Sequence, residues 1–216
     1  MRKIIFIAFL LISYSTSFSQ TKLYVHPDGE NYAANTKSIA LLPLKVQVKL
    51  RPKQLKDFTQ EQIVEMQQAE ALDIQKGMHS WFLTRKKRGS LSINVQTPAR
   101  TNALLKKAGV DIHSYDELLP SDLGKILGVD CVVMGTFETS KPMSAAASIA
   151  LGALFGAFGS TQAAVANFDF YDTRDDELVV NYLKKIKGGL GSDSQDLINV
   201  LMRKVTRRIP YTNQIL

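Results

Sequence analysis

The chain has 216 residues, 27 Lys and Arg against 20 Asp and Glu, a formal net charge of +7, and 45% hydrophobic and 22% charged residues. These proportions exclude a disordered tail, a collagen-like repeat and a polytopic membrane protein. The length suits one domain with a sizeable core, or at most two small ones.

At the N-terminus Arg2 and Lys3 precede an unbroken apolar run, Ile4 to Ile12, and then a serine-rich stretch from Ser13 to Ser19. This order predicts a secretory signal over residues 1–19, because the apolar run is too short to span a bilayer as a helix. Ser17 and Ser19 fit the small-x-small cleavage pattern, so the mature chain is expected to begin at Gln20 or Thr21. The protein is therefore expected to be exported, periplasmic or associated with the outer membrane. Cys131 is the only cysteine. It allows no intrachain disulfide and leaves no lipobox cysteine at the cleavage site. Residues 1–19 hold two cations and no acidic residue, so their removal lowers the charge from +7 to +5. A basic exported chain meets anionic lipid heads and envelope polymers, and no nucleic-acid partner is expected.

Residues 20–36 read as an N-terminal extension. From Lys37 to Lys49 a continuous apolar run (Ile39–Leu42) passes through Pro43 into an alternating stretch (Leu44, Val46, Val48), the pattern of a strand. Thr59, with Gln62 in the capping-box position, opens a long helix. Ile63, Met66, Ala69, Ile74, Met78, Trp81 and Phe82 lie on one face of that helix. Arg85 to Arg88 end it, where cations suit the negative pole, and Gly89 stops it. Ser90 to Gln96 alternates as a strand. Pro98 opens a short helix closed by Gly109, and another runs from about Ser121, as its cap, to Leu127.

Asp130 to Glu138 reads as a buried strand, with Gly135 where another backbone comes close. Gln162–Tyr171 and Glu177–Lys187 form a hairpin about the turn Asp172–Asp176. Ser194 to Arg208 is an amphipathic helix with Leu197, Leu201 and Val205 on one stripe, and residues 209–216 form a tail. The order β-α-β-α-α-β-β-β-α predicts the α/β class: a single three-layer-like domain over residues 37–208, built on a mixed sheet.

One segment departs from this plan. Pro142 to Phe168 holds no charged residue, and Met143 to Gly159 is almost wholly alanine, glycine and apolar side chains. Drawn as a helix, Leu151, Leu154, Phe155 and Phe158 form a bulky stripe beside a small-residue stripe of Ser148, Gly152 and Gly156. Its length would barely cross ~30 Å of hydrocarbon. The insert, residues 142–161, reads either as a hairpin folded over the sheet or a neighbouring helix, or as a contact surface for a membrane or another copy. On the second reading the contact residues are Ile149, Leu151, Gly152, Leu154, Phe155, Gly156 and Phe158.

The phrases IALLPL (Ile39–Leu44), DLGKILGVDCVVMGTFE (Asp122–Glu138) and NFDFYDTRDDELV (Asn167–Val179), in this order of elements, carry a resemblance. The chain resembles the periplasmic α/β domain shared by three groups. These are the curli-subunit secretion channel, the lipoprotein activators of penicillin-binding proteins, and the N-terminal domain of the Tol-system propeller protein. The resemblance covers about residues 37–208 and implies fold more than function. The signal ending in SFSQ, with TNALLKKAG and TSKPMS, also looks like a branch of exported proteins from Bacteroidetes-type bacteria. In the secretion channel, two insertions supply membrane-spanning hairpins, and the Gly/Ala segment occupies the place of the first. It lacks two stretches of about 9–11 residues alternating lipid-facing and lumen-facing side chains. Only Gly188 to Asp193 stands where the second would be, so no pore of that type is expected. The lipid anchor common in the family is missing as well.

No catalytic constellation stands out. His26, His79 and His113 are scattered, with no zinc-ligand spacing, and Cys131 falls in a buried strand pattern as a core residue. Ser160 is in no nucleophile elbow. Gly188, Gly189 and Gly191 lack the lysine and spacing of a phosphate loop. Asp169, Asp172, Asp175, Asp176 and Glu177 lack calcium-loop spacing. No metal site and no cofactor are expected.

Three basic groups complete the inventory: Arg85, Lys86, Lys87 and Arg88; Lys184 and Lys185; and Arg203, Arg207 and Arg208. Each reads as a solvated helix end or face. If they converge, they suit lipopolysaccharide, anionic phospholipid or an acidic partner protein. The expected function is that of a non-catalytic, exported cell-envelope accessory protein acting through protein–protein or protein–membrane contact, in envelope assembly or secretion. Its partners would be an envelope protein, another copy, or the membrane surface. Two rivals stay open: an envelope hydrolase, which needs a cleft gathering His79 or His113 beside carboxylates, and a soluble lipid or glycan carrier, which needs a closed apolar cavity.

Overall fold

The computed structural model describes residues 21–49, 52, 56, 58–111, 114–139, 163–187 and 194–212. The signal expected over 1–19, the insert 142–161 with its contact residues Ile149 to Phe158, the loop Gly188–Asp193, His113 and the last four residues of the tail lie outside the described residues.

The described chain runs β1 (Thr21–Val25), α1 (Gly29–Asn35), β2 (Ser38–Leu41), β3 (Lys45–Val48), α2 (Gln60–Lys87), β4 (Asn94–Val95), α3 (Pro98–Lys107), a 3₁₀ turn (Tyr115–Glu117), α4 (Pro120–Leu127), β5 (Cys131–Thr139), β6 (Ala163–Asp172), β7 (Leu178–Lys187) and α5 (Ser194–Val205). The strands form one mixed sheet ordered β1-β7-β6-β5-β2-β4, with β3 continuing beside β5. β2, β3, β4 and β5 are mutually parallel, and β5, β6, β7 and β1 form an antiparallel meander. This is the α/β class predicted from the sequence.

Alternation along the strands sends side chains to two separate cores, giving three layers. On one face Ile39, Leu41, Val133 and Phe137 pack with Met66, Ile74, Met78 and Phe82 of α2 and Ile198, Leu201 and Met202 of α5. On the other, Ala40, Leu42 and Val132 pack with Leu105 of α3, Leu123 and Leu127 of α4, and Tyr115. Leu201 and Val205 lie on the buried stripe expected for α5. Cys131 is fully buried, and burial pushes its thiol well above the usual range, as befits a core residue.

Several local signals act as read. Thr59 Oγ1 accepts from the Gln62 N–H while Gln62 Oε1 accepts from the Thr59 N–H, closing the capping box of α2. At Gly135 the backbone sits at φ 153°, and a Cβ there would lie 2.0 Å from the Asn167 carbonyl oxygen of β6. Any side chain would force β5 and β6 apart, so the site requires glycine.

Five features differ from expectation. Residues 20–36 contain β1 and α1, with β1 forming the sheet's edge against β7. The first predicted strand breaks at Pro43 into β2 and β3, since proline cannot donate to a ladder. The pairing shifts by one residue across the break, from Leu41↔Val133 to Lys45↔Thr136. The strand expected over Ser90–Gln96 narrows to Asn94–Val95, which pairs with Ser38 and Ile39, while Leu91 makes an isolated antiparallel bridge to Thr212. Ser121 does not cap α4: the helix begins at Pro120, and the acceptor for the Ser121 N–H is Asp176 Oδ1 of the β6–β7 turn. Within the predicted tail, Tyr211 is buried, stacked on Phe170 with ring centroids 5.8 Å apart.

Candidate functional site

The C-terminal ends of α2 and α5 meet beside β7, and this meeting sorts the predicted basic residues. Successive helical residues step about 100° around the axis, so a run of four cations cannot face one way. Arg85 turns inward and is only 8% exposed. Its Nε–H donates to Thr206 Oγ1 at 2.9 Å and its Nη2 to the Arg203 carbonyl at 3.4 Å. The guanidinium lies 5.8 Å from the Trp81 ring centre, and Trp81 Nε1–H donates to Asn199 Oδ1 of α5 at 2.6 Å. Lys86 turns away, donating to Asn94 Oδ1 at 2.6 Å beside β4. Lys87 and Arg88 are exposed.

On α5 and the turn after it, Arg203, Arg207 and Arg208 are exposed and Lys204 is half-buried. Arg207 and Arg88 lie close enough to Arg85 to act on its charge: burial first, then these two cations, lowers the Arg85 pKa. Lys184 of β7 is buried at 3% exposure, and its Nζ donates to Thr21 Oγ1 at 2.6 Å. Burial first, and then Lys204 and Arg208, lowers its pKa. The residues after Leu201 thus link both groups, with Arg203 and Arg207 toward α2, and Lys204 and Arg208 toward β7. Lys185 is not part of this surface. It follows Lys184 in the strand, points to the opposite face and pairs with Val165.

Among the described residues, no acidic side chain forms an ion pair with Arg85, Arg88, Arg203, Arg207 or Arg208. The arrangement is a connected basic surface whose two innermost cations are held by hydroxyl, carbonyl and aromatic groups. Chemically it can attract and order anionic groups. Lys204 was absent from the sequence-based set. Its four-residue spacing from Arg208 is the signal that could have found it.

The other candidates fall elsewhere. His26 Nδ1 accepts from the Asp28 N–H at 3.1 Å, and its ring meets Tyr32 edge-on. His79 lies within α2, where burial lowers its pKa. A cleft of about 290 Å³ between β3 and α2 is lined by residues including Pro43, Gln47, Val64, Gln67, Gln68 and Tyr115. Its lining includes neither His79 nor a carboxylate, and carboxamides share it with apolar groups. Among the described residues, no group of three or more His, Cys, Asp or Glu gathers to hold a metal ion. No described helix is long and apolar enough to cross a membrane.

The carboxylates of the β6–β7 turn are occupied internally. Asp172, fully buried, receives Arg174 in a two-pronged pair, with Nε 2.8 Å from Oδ1 and Nη2 2.5 Å from Oδ2. Asp175 Oδ2 accepts from the Tyr32 hydroxyl at 2.9 Å, and this bond is the main cause pushing that phenol up to about 12. Asp176, at φ 63°, receives both the N–H and the hydroxyl of Ser121.

No family model and no curated protein matches the chain. Among solved structures, the fold is similar to the lipoprotein GNA1162 from Neisseria meningitidis, at 15% identity and a TM-score of 0.45, covering 80% of this chain and 96% of that one. A PelC dodecamer subunit from Paraburkholderia phytofirmans aligns at 11% identity and a TM-score of 0.41, over 89% of this chain and 98% of its own. The LpoB C-terminal domain from Salmonella enterica aligns at 7% identity and a TM-score of 0.30, over 74% and 94%.

Proposed function

We propose that this chain is a non-catalytic, exported accessory protein of the cell envelope that works by contact, and that the basic surface at the ends of α2 and α5 is where it meets anionic lipid head groups. The observation that supports this reading is the convergence of Arg88, Arg203, Arg207 and Arg208 with no described acidic partner. Exposed cations near a negative leaflet are each worth about 1 kcal/mol of attraction, and the effect fades within a Debye length. The predicted surface Ile149 to Phe158 is a second contact in this proposal, on the strength of its uncharged composition alone.

Co-sedimentation with vesicles tests the reading. The wild-type chain should bind phosphatidylglycerol-containing vesicles, ignore pure phosphatidylcholine, and release as salt rises. Arg88→Glu combined with Arg207→Glu should weaken binding by about tenfold or more, with circular dichroism and melting unchanged. Equal sedimentation of the wild type and the double variant would remove the lipid reading.

A further inference from the structure

The sheet edge that runs past β4 can be followed group by group. β4 covers only its first stretch, where the Gln96 N–H donates to the Ile39 carbonyl at 2.8 Å. Further on, buried Gln75 of α2 takes the place of a strand: its Nε2–H donates to the Leu41 carbonyl at 2.7 Å. The Pro43 carbonyl then accepts from the Tyr115 hydroxyl at 2.6 Å. Beyond it β3 begins. The Lys49 N–H donates to the Thr139 carbonyl of β5 at 2.8 Å, and alternate residues of a strand bond to the same neighbour. Lys45, Gln47 and Lys49 therefore spend their N–H and C=O on β5, and Val46 aims both of its own away from it. Among the described residues nothing meets these two groups. Buried backbone groups are nearly always paired, and Val46 is only 8% exposed.

Beside Val46 lies the cleft of about 290 Å³ between β3 and α2. Half-buried Gln67 and Gln68 of α2 and exposed Gln47 of β3 line it, and among the described residues their carboxamides make no hydrogen bond. Gln68 precedes Gln75 by two helical turns, so it stands on the same stripe of α2, further along the edge. Like Gln75, it offers a donor and an acceptor that match a peptide unit. Val64, 39% exposed, adds apolar wall. Lys45 is the one charged residue in the lining, and Asp116 is its ion-pair partner.

We infer that this cleft is a strand-addition site: an extended, uncharged segment of a partner polypeptide lies along β3, exchanges both backbone hydrogen bonds with Val46, and meets the carboxamides of Gln67 and Gln68 with its next peptide groups. The unmet N–H and C=O belong to one strand residue, and their spacing is the one another strand repeats. That spacing selects a polypeptide over a glycan. In recognition of this kind, main-chain bonds give affinity and the adjoining side-chain pockets give selectivity. Gln68 stands about 30 Å before Arg88 along α2 at 1.5 Å per residue, so the inference goes beyond the proposed lipid contact and does not rest on it.

The test is amide hydrogen exchange by NMR on the full exported chain, first alone and then with peptide. Alone, the Val46 amide should exchange faster than that of Gln47, which is bonded to β5. The probe is a displayed library of random linear peptides of about ten residues, panned on the wild-type chain. Selected peptides should slow the Val46 amide by about tenfold or more, and N-methylation at the peptide position facing Val46 should weaken binding by about tenfold. Gln68→Ala should weaken it by about three- to tenfold with an unchanged melt. Arg88→Glu combined with Arg207→Glu, aimed at the proposed lipid contact, should leave peptide affinity as it is, so the two ideas fail separately. A library that yields no binder overturns the inference, as do binders indifferent to both N-methylation and Gln68→Ala. So does a Val46 amide as protected as that of Gln47 in the free chain, which would mean the chain covers this edge itself. Protection that rises with protein concentration alone would assign the edge to a second copy, and protection by chitotetraose but by no peptide would assign it to a glycan; either result overturns the inference.

Discussion

The two charged regions of this molecule handle charge in opposite ways. In the β6–β7 turn, Asp172, Asp175 and Asp176 each accept from a named donor, and those donors come from the turn itself, from α1 and from α4. At the ends of α2 and α5, cations gather from separate elements and find hydroxyls, carbonyls and one another. A carboxylate satisfied by internal donors is part of the scaffold. A cation with no described counter-ion leaves its field outside the molecule, available to a partner. On the proposed reading this difference is what marks the basic end as the contact surface, although the basic end and the acidic turn have similar charge density in sequence.

The strongest way to break this comparison is to remove Arg174. Its partner Asp172 has no exposed surface, while the Arg174 side chain is 47% exposed. Arg174→Met removes both guanidinium contacts and leaves the buried carboxylate the residue-174 N–H on Oδ1, a loss of about 1–3 kcal/mol. The urea midpoint should fall with little change in slope. Arg88→Met, at the other end, should change stability by less than about 0.5 kcal/mol. Equal midpoints for the two variants would erase the distinction between a structural and an outward-facing end.

Asp176 sharpens the same contrast on a smaller scale. It caps α4 from 55 residues away in sequence and does so from a left-handed backbone, φ 63°. Asp176→Asn keeps an acceptor and tolerates that conformation, whereas Asp176→Ala loses the cap and adds strain. The alanine variant should lose about 1–2 kcal/mol and the asparagine variant less. Thermal melts compare them directly. An asparagine variant as damaged as the alanine one would mean that the charge, and not the cap, is what the turn uses.

What could be read from the sequence follows how local each cause is. Thr59 and Gln62 sit three residues apart, so the capping box of α2 is written in one phrase. Gly135 and the Asp172–Asp176 turn are equally local signals. β1 and α1 were not legible, because Thr21–Val25 becomes a strand only by pairing with β7, across 163 residues in the case of Thr21 and Lys184. The cap of α4 was misread for the same reason: Ser121 is a fitting cap residue locally, but Asp176 arrives from the hairpin. At the basic site the residue types were legible and their directions were not. Only the packing of α2 on α5 shows Arg85 inside, Lys86 at Asn94 and Lys185 on the far face.

Lys184 offers the finest test, because it stands where the inward and outward parts of the basic end meet. Its charge is disfavoured by burial and by Lys204 and Arg208, so its pKa in the folded chain lies below the ordinary 10.5. In the window between the lowered value and 10.5, the unfolded chain binds the proton more tightly than the folded one. Stability contributed by this group therefore rises as pH climbs through that window, and is lost again as pH falls. The stability difference between wild type and Lys184→Met should accordingly move in favour of the wild type from pH 8 to pH 10, by less than about 1 kcal/mol. Urea titrations at the two pH values measure it. A difference that stays constant, or moves the other way, would place Lys184 with the solvated cations and leave Arg85 as the sole strongly desolvated cation among the described basic residues of that end.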